Sequence, residues 1–405
     1  MHMHPTSAED SILEGDAGQM AGQLMTRLQP QRWPIPLDRF PAETVLVGGA
    51  VRDGLLNRLT EHPDLDMVVP DDALGLVQKL SQEFGGACVV LDRYRDMARL
   101  VLGRWTIDLA RQDGDDLTAD LLRRDYRINA IALTLTTEPK LLDPSGGLAD
   151  LRDQRIAAVH EQNLLDDPLR LLRAPRLAAE LSMRIDEATL EMIARHRQQL
   201  PRVAPERIQA ELLKLVQANN ADQAISLLHS LQLIAPWCSD QTPKTFNTSA
   251  LTAAEQQLAL PLARITQLLS DQGLRDLRFS RKQIQRCLRL RTWWLRDQQQ
   301  SADTLEEQKR LKLHQELEED LPAFTLAWPL ERQKEWLSRW RDQEDTLFHP
   351  SAPLNGRTLQ AELGLRPGPE LGELIHHLCL ERAFGRIGNK AEAIQCARDW
   401  INRPL

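Results

Sequence analysis

The sequence predicts a mixed α/β head followed by an all-helical remainder, and three observations carry that prediction. Between about 41 and 158, short β-branched and apolar runs alternate with helical stretches, giving candidate strands at 44–47, 65–69, 87–91, 98–102 and 105–110. Val89-Val90-Leu91 and Arg99-Leu100-Val101-Leu102 bracket a polar turn, and Gly103-Arg104 separates two further runs, which is the pattern of antiparallel hairpins. After about residue 160 glycine becomes sparse, and apolar residues recur at three-to-four spacing, as in Leu212-Leu213, Leu215-Val216, Ile225 and Leu227-Leu228. No Gly-x-x-x-x-Gly-Lys-Ser/Thr occurs, which argues against a P-loop fold.

Taken in order, residues 1–40 are polar, with Pro30, Pro34 and Pro36 ahead of Pro41, and read as a partly disordered lead-in. His2 and His4 read as terminal histidines rather than metal ligands. Val45-Leu46-Val47 then feeds a tight Gly48-Gly49 pair, followed by a short amphipathic stretch with Arg52 and Asp53. Glycines at such a strand-to-helix turn let backbone N–H groups approach phosphate oxygens. Asp64-Leu65-Asp66 opens the next apolar run. Two carboxylates two apart on a strand share a face, and such a pair suits Mg²⁺, a hard ion that prefers oxygen ligands and substrate phosphates.

Composition narrows the class. The 405 residues suffice for two to four domains, and 42% are hydrophobic, enough for real cores. No run of about 18 apolar residues implies a membrane span. The N-terminus lacks the basic-then-apolar pattern of a secretion signal. Five widely spaced cysteines without a Cys-x-x-Cys pair fit a reduced, cytoplasmic setting with neither disulfides nor a zinc site. A net charge of −8 argues against a nucleic-acid binder, but its distribution does not. Between 275 and 296 lie eight basic residues and one acid, with Phe279, Trp293 and Trp294 interleaved. This stretch reads either as a solvated helix with a buried aromatic side or as a phosphate-tracking surface, with Arg281, Lys282, Arg286 and Arg289 as RNA contacts. Residues 297–320 are highly charged and read as an exposed helix or a linker.

Five segments, in order, resemble motifs of the class II tRNA nucleotidyltransferase and bacterial poly(A) polymerase family. They are Gly48-Gly49-Ala50-Val51-Arg52-Asp53 with Asp64-Leu65-Asp66; Arg123-Arg124-Asp125-Tyr126-Arg127-Ile128-Asn129-Ala130; Leu142-Asp143-Pro144-Ser145-Gly146-Gly147; Asp166-Asp167-Pro168-Leu169-Arg170 with Arg173 and Arg176; and the stretch from Pro205 to Lys214. The resemblance covers 45–214 and implies a polymerase-β-like head at 41–158, a helical neck at 159–220, an RNA-binding helical body at 221–335 and a helical tail at 336–405. Three departures stand out. Arg127 replaces the usual Thr, Asp166 replaces the usual Glu, and Pro175 interrupts the helix between Arg173 and Arg176.

What the resemblance implies is nucleotidyl transfer to an RNA 3′ end without a template, from CTP, ATP or both, with Mg²⁺ as cofactor and tRNA as acceptor. Neither a membrane nor a protein partner is implied. The catalytic carboxylates would be Asp64 and Asp66 as metal ligands, with Asp108 as a third from a neighbouring strand. Gly49 and Arg52 would hold the triphosphate. Arg124 and Asp125 would face the sugar and phosphates, although Asp125 also reads as a helix cap. Asp167 and Arg170, three apart on one helix face, would read the base edge, with Arg173 and Arg176 continuing that face. A poly(A) polymerase shares all five motifs, and an RNA-binding protein with an inactive head is the reading from another class. Only eleven residues separate Arg111 from Arg123, where full CCA-adding relatives usually carry a longer flexible loop. The short connection implies an enzyme that adds C residues and stalls before A, unless another segment takes over the switch.

Overall fold

The computed structural model describes residues 12–239 and 245–402. His2 and His4 lie outside them. The chain forms two compact units, Met1–Arg207 with Ala218–Leu233, and Ile208–Gln217 with Ile234–Leu405.

The first unit is built on a seven-stranded sheet. Its strands are β1 (Val45–Val47), β2 (Leu65–Val69), β3 (Ala87–Asp92), β4 (Met97–Leu102), β5 (Trp105–Arg111), β6 (Ala132–Thr134) and β7 (Leu141–Leu142), in the spatial order β3-β4-β5-β2-β1-β6-β7. All neighbours are antiparallel except β2 and β5, which run parallel in the register Asp66↔Asp108. The mixed sheet and the hairpins match the prediction from pattern. The pairs β6–β7 and β8 (Arg155–Ile156) with β9 (Arg184–Ile185) were not legible, because strands of two or three residues show no alternation.

Helices α1 (Ala17–Leu28), α2 (Gly49–Leu55), α3 (Ala73–Phe84), α4 (Leu117–Leu122), α5 (Gly147–Arg152), α6 (Glu161–Asp166), α7 (Arg170–Leu181) and α8 (Glu187–His196) follow the chain in the first unit; α9 (Pro205–Gln217) belongs from Ile208 onward to the second unit, and α10 (Ala221–Ser230) completes the first. The lead-in expected over 1–40 is corrected from Ile12 onward. Helix α1 opens on a capping box between Asp16 and Gln19 and buries Met20, Ala21, Leu24 and Leu28. Those four positions share one helical face, and the prolines that suggested disorder all lie beyond the helix end.

The second unit is helical, with α11 (Ala253–Leu268), α12 (Asp271–Asp276), α13 (Arg281–Gln299), α14 (Glu307–Leu317), α15 (Leu321–Thr325), α16 (Leu330–Arg341), α17 (Gly356–Leu363), α18 (Pro369–Ala383) and α19 (Lys390–Ile401). The charged stretch 297–320 is neither linker nor wholly exposed helix. Helix α14 buries Leu311, Leu313, His314 and Leu317 beneath its charged face. His314 stacks between Trp336, at 5.3 Å, and Phe348, at 4.2 Å between ring centroids. Its Nε2 accepts from Arg310 Nε at 3.3 Å, which requires a neutral ring.

Burial, reinforced by the charges of Arg310 and Arg339, pushes the His314 imidazole down to about 3. The folded chain therefore keeps His314 neutral where the unfolded chain protonates it. Stability is intact above about pH 6.5 and falls as the pH drops from there towards 3, by about 2 kcal/mol at pH 5 for this group. Urea unfolding of the full chain at pH 7 and pH 5 checks this. The His314→Gln variant should lose about 2 kcal/mol less than wild type over that interval, and equal losses would contradict the assignment.

Candidate active site

Strand β1 is followed by Gly48, whose φ of +71° lies in a region L side chains rarely adopt. A Cβ there would stand 3.0 Å from Asp66 Oδ2 and 3.8 Å from Arg124 Nη1. The glycine thus answers both a conformational and a steric demand, and it lets the turn pass directly beside the Asp66 carboxylate.

The parallel pairing of β2 with β5 sets Asp66 across from Asp108. Asp108 is held from β4 by Arg99, whose Nε and Nη2 donate to its two oxygens at 2.7 and 2.8 Å. Asp64 sits just ahead of β2 and is exposed. Burial pushes the Asp66 carboxyl up to about 6, reinforced by Asp108 and Asp64 and opposed by Arg124 and Arg173. Asp66 is therefore crowded by like charge. Among the described residues, no three His, Cys, Asp or Glu side chains are already gathered into a metal-ligand cluster.

Behind the carboxylates runs a buried polar chain. Arg52 donates through Nε and Nη2 to Asp53 at 2.8 and 3.0 Å and through Nη1 to Asn129 Oδ1 at 2.7 Å. Asn129 Nδ2 donates to Asp125 Oδ1 at 3.2 Å, and Asp125 Oδ2 forms an ion pair with Arg173 Nη1 at 3.0 Å. Burial alone would raise the Asp125 carboxyl. The Arg173 and Arg170 charges, the Asn129 amide and the Tyr126 N–H outweigh it and hold the group below its usual range. The expected helix cap is a different structure. Asp125 precedes a 3₁₀ turn at Arg127–Asn129, and its carboxylate receives the Tyr126 N–H at 2.8 Å. Tyr126 in turn donates its hydroxyl to the Arg170 carbonyl at 2.6 Å.

The neck motif also differs from the expected helical face. Asp167 and Arg170 do not lie on one helix. Pro168 follows Asp167, which adopts extended φ/ψ between α6 and α7, and Arg170 is the first residue of α7. Asp167 accepts from Arg207 Nη2 at 2.7 Å, whereas Arg170 Nη1 donates to the carbonyls of Arg123 and Asn163 at 3.0 and 2.9 Å. Arg173 and Arg176 do share a face of α7, and the helix continues unbroken through the buried Pro175. Arg176 pairs with Glu180 one turn on.

Of the eleven residues predicted from 49 to 176, all but Asp64 and Asp167 line one cleft of about 460 Å³. The cleft also takes in Gly48, Asn129, Asp120, Arg95, Arg111 and Arg123, none of which was predicted as a site residue. Gly48 and Asn129 stood inside the quoted motifs. Asp120, which accepts from Arg124 Nη2 at 3.2 Å, sits four residues before it, in the last turn of α4, with Arg124 just past the helix end. Arg99 had no signal beyond facing Asp108 once the hairpin register is known.

In the second unit α13 separates two kinds of arginine. Arg281, Lys282 and Arg289 are exposed. Arg286 is engaged with Asp320, its Nη2 at 2.5 Å from Oδ1, and Arg291 is buried, pairing with Asp271 and donating to the Thr266 and Leu269 carbonyls. Trp293 and Trp294 form the buried side, with indole N–H groups donating to Glu316 and to the Phe324 carbonyl.

Two family profiles match the chain, a poly A polymerase head domain over residues 44–157 and a probable RNA and SrmB-binding site of polymerase A over residues 182–243. The CC-adding tRNA nucleotidyltransferase of Synechocystis sp. is 31% identical over 402 residues, covering 91% of this chain and 96% of that one. The A-adding tRNA nucleotidyltransferase of Deinococcus radiodurans is 31% identical over 434 residues, covering 90% and 97%. Among solved structures, the Thermotoga maritima CCA-adding enzyme complexed with tRNA shares the fold with a TM-score of 0.70 at 21% identity, covering 94% of this chain and 98% of that one. With 31% identity and near-complete coverage on both sides, the chain belongs to the tRNA nucleotidyltransferase and poly(A) polymerase family.

Proposed function

We propose that this chain adds CMP from CTP to tRNA 3′ ends without a nucleic-acid template, releases pyrophosphate, and stops after the two C residues. The cleft carries the transfer reaction. It pairs a glycine turn and clustered carboxylates with a bank of arginines, the charge arrangement a nucleoside triphosphate requires. The stop after CC rests on the connection between β5 and α4. It is short, and it is tied down, with the Asp113 N–H donating to Asp120 at 3.0 Å and Arg123 donating to Asp113 at 2.9 Å. A pinned connection leaves the pocket few alternative shapes, and accepting a second base needs a second shape. The Synechocystis relative of matching length is named CC-adding.

The donor set fits Mg²⁺. Crowded carboxylates with a raised Asp66 are what a divalent cation would relieve. Asp64 and Asp66 would hold it, and both Asp108 oxygens, already fixed by Arg99, keep a lone pair for it. When bound, the metal would activate the acceptor hydroxyl and neutralise the departing pyrophosphate. The protein's own part is positioning. Asp53 and Asn129 fix Arg52 towards the triphosphate, Arg124 is set by Asp120, and Arg170 is aimed by the carbonyls of Arg123 and Asn163. The exposed cations of α13 would track tRNA phosphates. No helix among the described residues is long and apolar enough to cross a membrane.

One gel tests the reaction and its end point. Wild-type enzyme with Mg²⁺ and a radiolabelled tRNA lacking its 3′ end should add two C residues and no A, even with ATP present. Asp66→Asn should add nothing while still binding the tRNA. Efficient AMP addition to a tRNA ending in CC would overturn the stop after CC, and full turnover by Asp66→Asn would overturn the metal assignment.

The arginines of α13 should separate in a salt titration of tRNA affinity. Arg289→Ala should lower the slope of log affinity against log salt by about one unit, the loss of one phosphate contact. Arg286→Ala should leave the slope unchanged and instead lower thermal stability, because its partner Asp320 is left buried and unpaired. An unchanged slope in Arg289→Ala would remove α13 from the RNA surface.

A further inference from the structure

The β3–β4 hairpin carries an aromatic residue whose presentation nothing in the catalytic account uses. Tyr94, in the turn Arg93-Tyr94-Arg95, is 98% exposed. Tyrosine is scarce in this chain, and its one other copy, Tyr126, is fully buried. A large aromatic ring held wholly in water gives up its burial energy and contributes nothing to the core.

The turn that presents it is anchored. Asp92 Oδ1 accepts the N–H groups of Tyr94 and Arg95 at 2.9 and 3.1 Å, which folds the turn outward. Asp96, in the left-handed region at φ +51°, accepts the first N–H groups of α3 from Ala73 and Leu74 at 3.0 and 2.9 Å. Its carbonyl accepts the Arg111 N–H at 3.0 Å. The turn is thus tied to a helix start and to the end of β5, which lowers the entropy lost when a partner packs on Tyr94.

Its neighbours point to the partner. Arg93 and Arg95 are exposed, and neither makes an ion pair among the described residues. Arg95 lines the catalytic cleft, as does Arg111. An aromatic ring between two unpaired guanidinium groups, one residue from the wall of a nucleotidyl-transfer cleft, has the chemistry of a single-stranded nucleic-acid platform. The ring offers a base-stacking face, and the cations meet the phosphates on either side. The acceptor's last nucleotides must be unpaired to reach the cleft, so an unstacked base is available there.

We propose that the Arg93-Tyr94-Arg95 turn is a docking element for the acceptor RNA, with Tyr94 stacking on one of its unpaired 3′-terminal bases and Arg93 and Arg95 holding the adjoining phosphates. This rests on the reading of the chain as a tRNA-extending enzyme. Tyr94 is a positioning residue here, since it acts on the acceptor strand and not on the reacting atoms.

The test is steady-state CMP incorporation by the full chain, with tRNA and CTP varied in turn, for wild type, Tyr94→Ala and Tyr94→Phe. The substitutions remove no packing, and matching thermal melts confirm the fold. In Tyr94→Ala the KM for tRNA should rise about tenfold, within the range of one lost base–aromatic stack, with the KM for CTP changed less than twofold. Tyr94→Phe keeps the stacking face and should restore the wild-type KM. The tRNA affinity of Tyr94→Ala should keep the wild-type salt slope, whereas Arg93→Ala should lower it by about one unit. An active wild type with an unchanged tRNA KM in Tyr94→Ala overturns the docking role and leaves the turn to another class of partner, such as a protein. A wild type that extends no tRNA overturns the enzymatic reading, and the docking role falls with it.

Discussion

The site depends on the charge of Asp125. This carboxylate is buried, yet it is held ionised by Arg173 and by the Asn129 amide, and Asn129 passes the connection on to Arg52. Removing the charged partner of a buried carboxylate is strongly destabilising, and removing a hydrogen-bond donor to it costs about 1.5–3 kcal/mol, so the four side chains hold one another in place. The sequence distances are large, 77 residues from Arg52 to Asn129. One polar chain therefore fixes the glycine turn after β1, the 3₁₀ turn before β6 and the start of α7 in a single arrangement. Three segments that could each fold locally become one cleft wall.

The sheet supplies the opposite wall by register rather than by polar contact. Pairing β2 with β5 in parallel brings Asp66 beside Asp108, and the Gly48 turn brings backbone against the Asp66 carboxylate. This arrangement disfavours the ionised form of Asp66, first through burial and then through the neighbouring Asp108 and Asp64 charges. It persists because the strands on both sides are buried and a one-residue slip would turn every side chain of β2 to the other face.

Much of this was legible in the sequence because short motifs reported backbone demands. Gly48 announced a turn that only glycine fits, and the Asp64-Leu65-Asp66 segment announced carboxylates at the start of β2, of which Asp66 lines the cleft. What was not legible depended on tertiary partners. The i,i+3 reading of Asp167 and Arg170 assumed one helix, but Pro168 separates α6 from α7, and the two side chains face different neighbours. Arg286 looked like its neighbours on α13 until Asp320, 34 residues away, proved to engage it. The polar character of 12–40 hid a capped helix, because four buried positions suffice to fold twelve residues against the sheet unit. Charge and proline content describe the surface of a segment, and they say little about the one face that packs.

The most direct measurement of this account is a double-mutant cycle on kcat/KM for CMP incorporation with Arg52→Ala, Arg173→Ala and the double variant. The two guanidinium groups make no direct bond to each other. If the buried chain through Asn129 and Asp125 holds them as a unit, their effects should be non-additive by about 1 kcal/mol or more, within the range seen for residues of one hydrogen-bonded network. Additivity within a few tenths of a kcal/mol, as for independent sites, would contradict the claim that this chain organises the cleft.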